Sequence, residues 1–208
     1  MTNILIIDSA ATGEASVTRR LTGELEEILR GRGPVRIVRR DVGTDTIPHL
    51  TAETTPAIRG AEAGTDAARE ALALSDALIA ELKAADLVVI GAPMYNFGIA
   101  STLKAWFDHV LRAGITFRYS EAGPEGLLKG KKTIVIESRA GLYSEGPSAA
   151  MDSQEPHLRT LLGFMGLEDM AFVRVEKLAF GPDQASASIA EAVEQLRGLA
   201  MQELPLAA

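Results

Sequence analysis

A continuous apolar run that ends abruptly in a polar and aromatic loop is the feature that most constrains the fold of this chain. Residues 87–90 are all aliphatic, which is typical of a strand buried on both faces of a parallel sheet. Gly91 and Pro93 break the pattern, and the loop Met94-Tyr95-Asn96-Phe97 follows. Ligands of open α/β sheets bind outside the carboxyl ends of the strands. The loop is therefore a candidate site for a flat heteroaromatic ring such as a flavin. The alternative is a turn whose aromatic side chains fill the core.

Similar apolar segments alternate with helical patterns along the whole chain. Strands are predicted at residues 3–7, 35–40, 87–90, 132–138 and 170–179, and helices at about 16–30, 66–84, 100–110 and 185–201. This alternation predicts a doubly wound α/β fold, a five-stranded parallel sheet of flavodoxin-like order 2-1-3-4-5 with helices on both faces. We expect residues 1–208 to form a single domain, with insertions at about 41–64, mostly loop, and 113–131.

Composition excludes several classes of function. The chain has no cysteine, which excludes disulfides, thiolate metal ligands and thiol catalysis. Its formal net charge of −7 argues against broad electrostatic binding to nucleic acid or to an anionic membrane. No membrane-spanning apolar run and no signal peptide are visible, so we expect a cytoplasmic protein. The three histidines lie far apart in sequence, and no metal site is predicted.

Hydroxyl side chains follow the first predicted strand, where they precede a helix. Ser9 comes directly after the strand region, and Ser16 and Thr18 stand where the helix begins. The free N–H groups and the dipole of a helix N-terminus attract anions, so this loop can bind a phosphate without a lysine. It contains neither a Walker A motif nor a G-x-G-x-x-G motif. The alternative is that Ser16 only caps the helix.

A third loop leaves the fourth predicted strand with the residues Ser138-Arg139-Ala140-Gly141. Small residues at positions 140 and 141 allow backbone N–H groups to approach a planar ligand closely. Such donors can bind a carbonyl oxygen that becomes anionic when the ligand is reduced. The alternative is a glycine turn at the end of a strand. Three suitable loops at one sheet edge favour a ligand site more strongly than any one of them alone.

The sequence closely resembles the FMN-dependent NADH:azoreductase and NAD(P)H:quinone oxidoreductase family. The matching segments, in chain order, are residues 70–76, 92–97, 114–119, 123–127, 130–132, 138–139, 146–147 and 162–164. The resemblance covers nearly the whole chain and is weakest at about residues 42–66 and in the last dozen residues.

The resemblance implies a flavodoxin-like homodimer with one FMN per subunit at the dimer interface. It assigns the FMN phosphate to Ser9, Ser16, Val17 and Thr18, the ribityl chain and isoalloxazine to Met94, Tyr95, Asn96 and Phe97, and the pyrimidine side to Ser138, Arg139, Ala140 and Gly141. The backbone N–H of Asn96 is expected to face the flavin N5, and no side chain is given a catalytic role. Hydride transfer belongs to FMN, with NADH or NADPH as the donor.

The implied reaction is a ping-pong, two-electron reduction of quinones and a reductive cleavage of aromatic azo compounds to amines. Tyr119 and Phe164 are expected to wall the acceptor pocket, or to pack at the dimer interface. Two residues depart from the family pattern. Ala10 replaces a second serine, and Tyr143, expected near a flavin carbonyl, replaces a histidine. The alternative function is a flavodoxin-like FMN electron carrier without small-molecule turnover.

Overall fold

A five-stranded parallel sheet forms the centre of the molecule. We describe residues 1–202 of a computed structural model. The strands of the sheet are β1 (Thr2–Asp8), β2 (Val35–Asp41), β3 (Leu87–Pro93), β6 (Lys132–Ser138) and β7 (Asp169–Val175). Their order is β2-β1-β3-β6-β7, and all four pairings are parallel. The predicted order 2-1-3-4-5 is therefore confirmed.

Helices cover both faces of this sheet. They are α1 (Val17–Arg32), α2 (Thr55–Ile58), α3 (Asp66–Ala84), α4 (Ser101–Val110), α5 (Glu155–Met165) and α6 (Pro182–Gln202). Alternation along β1 assigns the two layers: Leu5 and Ile7 pack in the layer of α3, α4 and α5, whereas Ile4 and Ile6 pack in the layer of α1 and α6. No helix within residues 1–202 is long and apolar enough to cross a membrane.

The two predicted insertions contain secondary structure of their own. The segment 41–64 includes the short helix α2, which begins with a proline in its first turn. The segment 113–131 forms an antiparallel hairpin of β4 (Phe117–Ser120) and β5 (Gly123–Gly126). Gly126 and Gly166 allow this hairpin to pack closely against the end of α5. A Cβ on Gly126 would lie 2.1 Å from the backbone nitrogen of Gly166. The sequence pattern did not predict the hairpin or α5.

The end of the fifth strand was predicted wrongly. The strand stops at Val175 rather than continuing to residue 179, and Lys177 has a φ of +61°. The residues after it bend back and donate their N–H groups to the loop after β6 instead of continuing a ladder. Residues 178–180 are apolar, as strand residues often are, and this explains the wrong prediction. Hydrogen bonds to that loop set the conformation of this segment.

Candidate functional site

The loops that leave β1, β3 and β6 meet at the carboxyl edge of the sheet. The hydroxyl of Ser9 donates to the carbonyl of Gly91 at 2.7 Å, which joins the first loop to β3. The phenol oxygen of Tyr95 accepts from the N–H of Ala11 at 3.0 Å. The N–H of Met94 donates to the carbonyl of Ser138 at 2.9 Å, which joins the second loop to the third. The structure thus brings the three predicted loops into direct contact.

The first turn of α1 presents a set of donors suited to an anion. Ser16 caps the helix, since its Oγ accepts from the N–H of Arg19 at 3.3 Å. The same oxygen lies 3.0 Å from the hydroxyl of Thr18, and both side chains are buried. Within residues 1–202 the N–H groups of Val17 and Thr18 have no acceptor. Capping and anion binding are compatible here, because the cap uses one N–H and leaves two.

Ser9 is oriented differently from this donor set. It is fully buried, and its only hydroxyl proton is used on the carbonyl of Gly91. A phosphate accepts hydrogen bonds, so Ser9 can contribute to its binding only if the hydroxyl turns away from that carbonyl. Ala10, also fully buried, offers no hydroxyl. A Cβ on Gly43 would lie 2.3 Å from the carbonyl oxygen of Ala10, so the turn after β2 and the first loop are in close backbone contact.

A tight turn exposes the middle of the second loop. Tyr95 and Gly98 exchange two backbone hydrogen bonds of 2.9 and 3.0 Å, and Asn96 and Phe97 between them have φ values of +48° and +71°. Positive φ at both central residues is the signature of a type I′ turn. Asparagine tolerates this conformation, but a bulky side chain such as Phe97 is strained by about 1–3 kcal/mol.

The strain in this turn coincides with free donors. Within the described part of the chain, the N–H groups of Asn96 and Phe97 have no acceptor. The ring of Phe97 is 41% exposed and contacts the ring of Tyr143 edge to face, with centroids 6.0 Å apart. The turn therefore presents amide donors next to an accessible aromatic surface, as a planar heteroaromatic ligand requires.

The third loop is anchored by its carbonyl groups. The carbonyl oxygens of Arg139, Ala140 and Gly141 all accept from N–H groups of the segment after β7. The N–H groups of Ala140 and Gly141 have no acceptor within residues 1–202. A Cβ on Gly141 would lie 3.0 Å from the ring of Tyr143, so the glycine lets this ring lie against the backbone. The segment after β7 thus fixes the loop through its carbonyl groups, and two amide donors of the loop are left unused.

The side chain of Arg139 points into the interior of the protein. Its guanidinium is fully buried and contacts Gln154, Glu176, Glu137 and Asp152. Its N–H donates to the carbonyl of Val175 at 2.8 Å. The resemblance assigned this arginine to the pyrimidine side of FMN, but in this structure its polar groups are all engaged with protein.

Sequence reasoning missed the carboxylates around Arg139. Glu137 is fully buried in β6, where burial raises its pKa to about 8, against the opposing effect of Arg139. Its Oε1 has no hydrogen-bond partner within residues 1–202. The signal in the sequence was a glutamate that ends the aliphatic run 134–136, a position that a buried strand rarely gives to a charge.

Tyr119 and Phe164 lie outside the three-loop site. Both rings pack against Phe117, with centroid distances of 5.6 and 4.6 Å. They line an apolar cavity of about 610 Å³, to which none of the three loops contributes. Tyr119 is 73% exposed although it is aromatic. Within a single chain, the structure does not bring these two residues to the candidate ligand site.

Comparisons with known proteins agree with this geometry. Residues 2–199 match a family model described as a flavodoxin-like fold. The FMN-dependent NADH:quinone oxidoreductase of Hyphomonas neptunium is 52% identical over 96% of both chains. That of Ralstonia nicotianae is 49% identical over 86% of this chain and 88% of its own.

Solved structures give the same result. The azoreductase of Bacillus anthracis str. Sterne superposes with a TM-score of 0.87 at 28% identity, over 96% of this chain and 99% of that one. An FMN-dependent NADH-azoreductase from the Ames Ancestor strain, solved in complex with FMN, superposes with a TM-score of 0.85 at 25% identity, over 96% of this chain and all of that one. With its sheet order, its three joined loops and these relatives, the chain belongs to the flavodoxin-like family that includes the FMN-dependent NADH:quinone oxidoreductases.

Proposed function

We propose that the chain is an FMN-dependent NADH:quinone oxidoreductase that also cleaves aromatic azo compounds to amines. The observation that carries this proposal is the 52% identity, over 96% of both chains, to a relative named for this quinone activity. The azo reaction rests on structural neighbours named as azoreductases. Because both groups are named as enzymes, an FMN electron carrier without turnover is less well supported.

The residues present fit FMN at this site. The unused N–H groups of Val17 and Thr18, with the hydroxyls of Ser16 and Thr18, are assigned to the phosphate. The turn 94–97 is assigned to the ribityl chain and the ring, with the N–H of Asn96 toward N5. The unused N–H groups of residues 140 and 141, with Ser138, are assigned to the pyrimidine side.

The protein's contribution is binding, orientation and charge stabilisation. FMN bound at this site would supply the two-electron redox chemistry between a nicotinamide donor and the acceptor. Preorganised amide donors at residues 140 and 141 stabilise negative charge at a carbonyl oxygen, since they need not reorient when the charge develops. Tyr143 offers a neutral phenol beside them, where a histidine could carry a positive charge. A cytoplasmic location suits this reaction, because NADH is available there.

An anaerobic absorbance titration tests the proposed function. The FMN-reconstituted protein is titrated with NADH and, in parallel, with NADPH, and a benzoquinone is then added. We expect NADH to bleach the flavin absorbance near 450 nm and the quinone to restore it, with two electrons per FMN in each direction. Flavin that binds but stays oxidised with both donors would favour a carrier, and failure to bind FMN would contradict the site assignment itself.

We also propose that the functional unit is a homodimer in which each site is completed by the partner subunit. Tyr119 and Phe164 line an apolar cavity away from their own chain's three loops, and Tyr119 is largely exposed. A second copy that covers this surface would place both rings beside the other chain's site. Burying them in this way removes apolar surface from water, which favours association.

Sedimentation velocity tests the dimer. We expect the wild-type protein to sediment as a dimer at micromolar concentration. In Tyr119→Glu we expect the Kd of the dimer to rise at least tenfold. Because Tyr119 is 73% exposed, its replacement leaves the folding of one subunit nearly unchanged. Glu121→Ala, an exposed neighbour on the same hairpin, is the control. A monomeric wild-type protein with full quinone reductase activity would contradict the proposal.

A further inference from the structure

A buried network of charged and polar groups lies beneath the third loop. At its centre the guanidinium of Arg139 donates to Gln154 Oε1 at 3.0 Å, to Glu176 Oε1 at 3.2 Å and to Glu137 Oε2 at 2.7 Å. The side-chain amide of Gln154 donates in turn to the carbonyl of Ala92 at 2.7 Å. One continuous set of hydrogen bonds therefore runs from the end of β3 through Arg139 to the segment after β7.

Glu176 is the member of this network that contacts the residues just after the third loop, Tyr143 and Ser144. Its Oε1 accepts from the N–H of Tyr143 at 2.7 Å and from the N–H of Ser144 at 3.0 Å, and its Oε2 accepts from the hydroxyl of Ser144. Although burial alone raises the pKa of Glu176, the hydrogen bonds from Ser144, Tyr143 and Arg139 lower it below its usual value. The side chain is therefore ionised and makes charge-assisted hydrogen bonds.

These contacts bracket the residues that face the candidate ligand. The carbonyls of residues 139–141 are held from behind by backbone donors, and Tyr143 and Ser144 are held by the Glu176 carboxylate. The peptide groups that carry the N–H groups of Ala140 and Gly141 are held through their own carbonyls, and Glu176 holds the chain two and three residues further on. Freeing Tyr143 and Ser144 would let the ring of Tyr143 and this end of the loop move, and a misplaced ring binds a rigid planar ligand poorly.

We infer that Glu176 is a positioning residue, which holds Tyr143 and Ser144 so that the ring of Tyr143 and the end of the third loop are preorganised for the pyrimidine side of FMN. This role rests on the proposed function, since it concerns the same site. It is separate from any contact with the ligand, because Glu176 reaches the site only through Tyr143 and Ser144.

Two substitutions separate the hydrogen bonds of Glu176 from its charge. Glu176→Gln keeps the length of the side chain, its oxygen can accept from the two N–H groups, and its amide can donate to the Ser144 hydroxyl. Glu176→Asp keeps the charge but is one methylene too short to reach both residues. If position is what matters, the glutamine variant resembles the wild type and the aspartate variant resembles Glu176→Ala.

The test measures FMN dissociation by fluorescence and amide hydrogen exchange in the FMN-free protein. For Glu176→Ala and Glu176→Asp we expect the FMN Kd to rise about tenfold or more, since several charge-assisted bonds to the loop are lost. We also expect the N–H groups of Tyr143 and Ser144 to exchange at least tenfold faster. Glu176→Gln should stay within about threefold of the wild type in both measurements.

The exposed neighbour Glu145 is the matched control, because it lies on the same loop without a hydrogen bond or an ion pair within residues 1–202. Glu145→Ala should change neither measurement. A lowered Tm with unchanged FMN Kd in Glu176→Ala and Glu176→Asp would overturn the inference and leave a purely structural role. A glutamine variant as impaired as the alanine variant would also overturn it. If the wild type binds no FMN, the proposed function fails, whereas hydrogen exchange still tests the hold on the loop.

Discussion

Gly126→Ala is expected to destabilise the FMN-free protein by about 3 kcal/mol, at the upper end of the range for overpacked sites. The added Cβ would lie 2.1 Å from the nitrogen and 2.4 Å from the Cα of Gly166, and both are backbone atoms that cannot rotate away. Either β5 or the end of α5 has to move. For a chain of this size such a loss lowers the Tm by roughly 6–12 °C.

Urea unfolding followed by circular dichroism measures this effect. Gly23→Ala in α1 is the matched control, because nothing lies within 4 Å of its added Cβ and alanine favours a helix interior. We expect that control to be stabilised by about 0.5–1 kcal/mol. Equal stability of Gly126→Ala and the wild type would show that the hairpin does not pack against α5 as described.

Glu137→Gln is expected to flatten the dependence of stability on pH. The pKa of Glu137 is about 8 in the folded protein against an ordinary value of 4.5, because burial and the nearby charges of Glu155 and Asp152 raise it more than Arg139 lowers it. The folded state holds a proton that the unfolded chain releases. The stabilisation from this group is therefore complete below about pH 4.5 and is lost as the pH rises toward 8.

Glutamine is neutral at every pH and lacks this loss. We expect the variant to match the wild type within about 1 kcal/mol at pH 5 and to be more stable by about 2–5 kcal/mol at pH 8.5. Urea unfolding of the FMN-free proteins at pH 5, 7 and 8.5 measures the difference, with Glu145→Gln as an exposed control. A variant that becomes less stable than the wild type as the pH rises would mean that Glu137 is ionised and stabilised by Arg139.

The sequence predicts the sheet better than the segments between its strands. Aliphatic runs such as residues 87–90 have few alternatives to a buried parallel strand, and the order of strands follows from their number and handedness. The hairpin 117–126 could not be predicted, since β5 contains two glycines and a proline and depends on contact with α5. The helix α5 was missed because it carries Pro156 in its first turn and Gly163 in its interior, and both weaken the helical pattern of its sequence.

For the candidate site, loop positions were predictable but side-chain directions were not. The loops after β1, β3 and β6 were predicted to meet, because parallel strands end at one edge of the sheet. The end of β3 was predicted three residues too early, since Gly91 and Pro93 break the sequence pattern but lie within the strand. The inward direction of Arg139 depends on Gln154 and Glu176, which are 15 and 37 residues away in sequence. The type I′ turn could not be predicted for another reason. Phe97 has a positive φ, which bulky residues rarely adopt.

The attachment of the third loop also determines when the site can form during synthesis. Ser144 and the carboxylate that holds it are separated by 32 residues, which include all of α5 and β7. On the ribosome, β1, β3 and the loop after β6 are made first, and the loop stays unanchored until β7 has emerged and paired. Such long-range pairing is slow compared with local folding. We therefore expect cofactor loading to be a late step, which follows completion of the sheet.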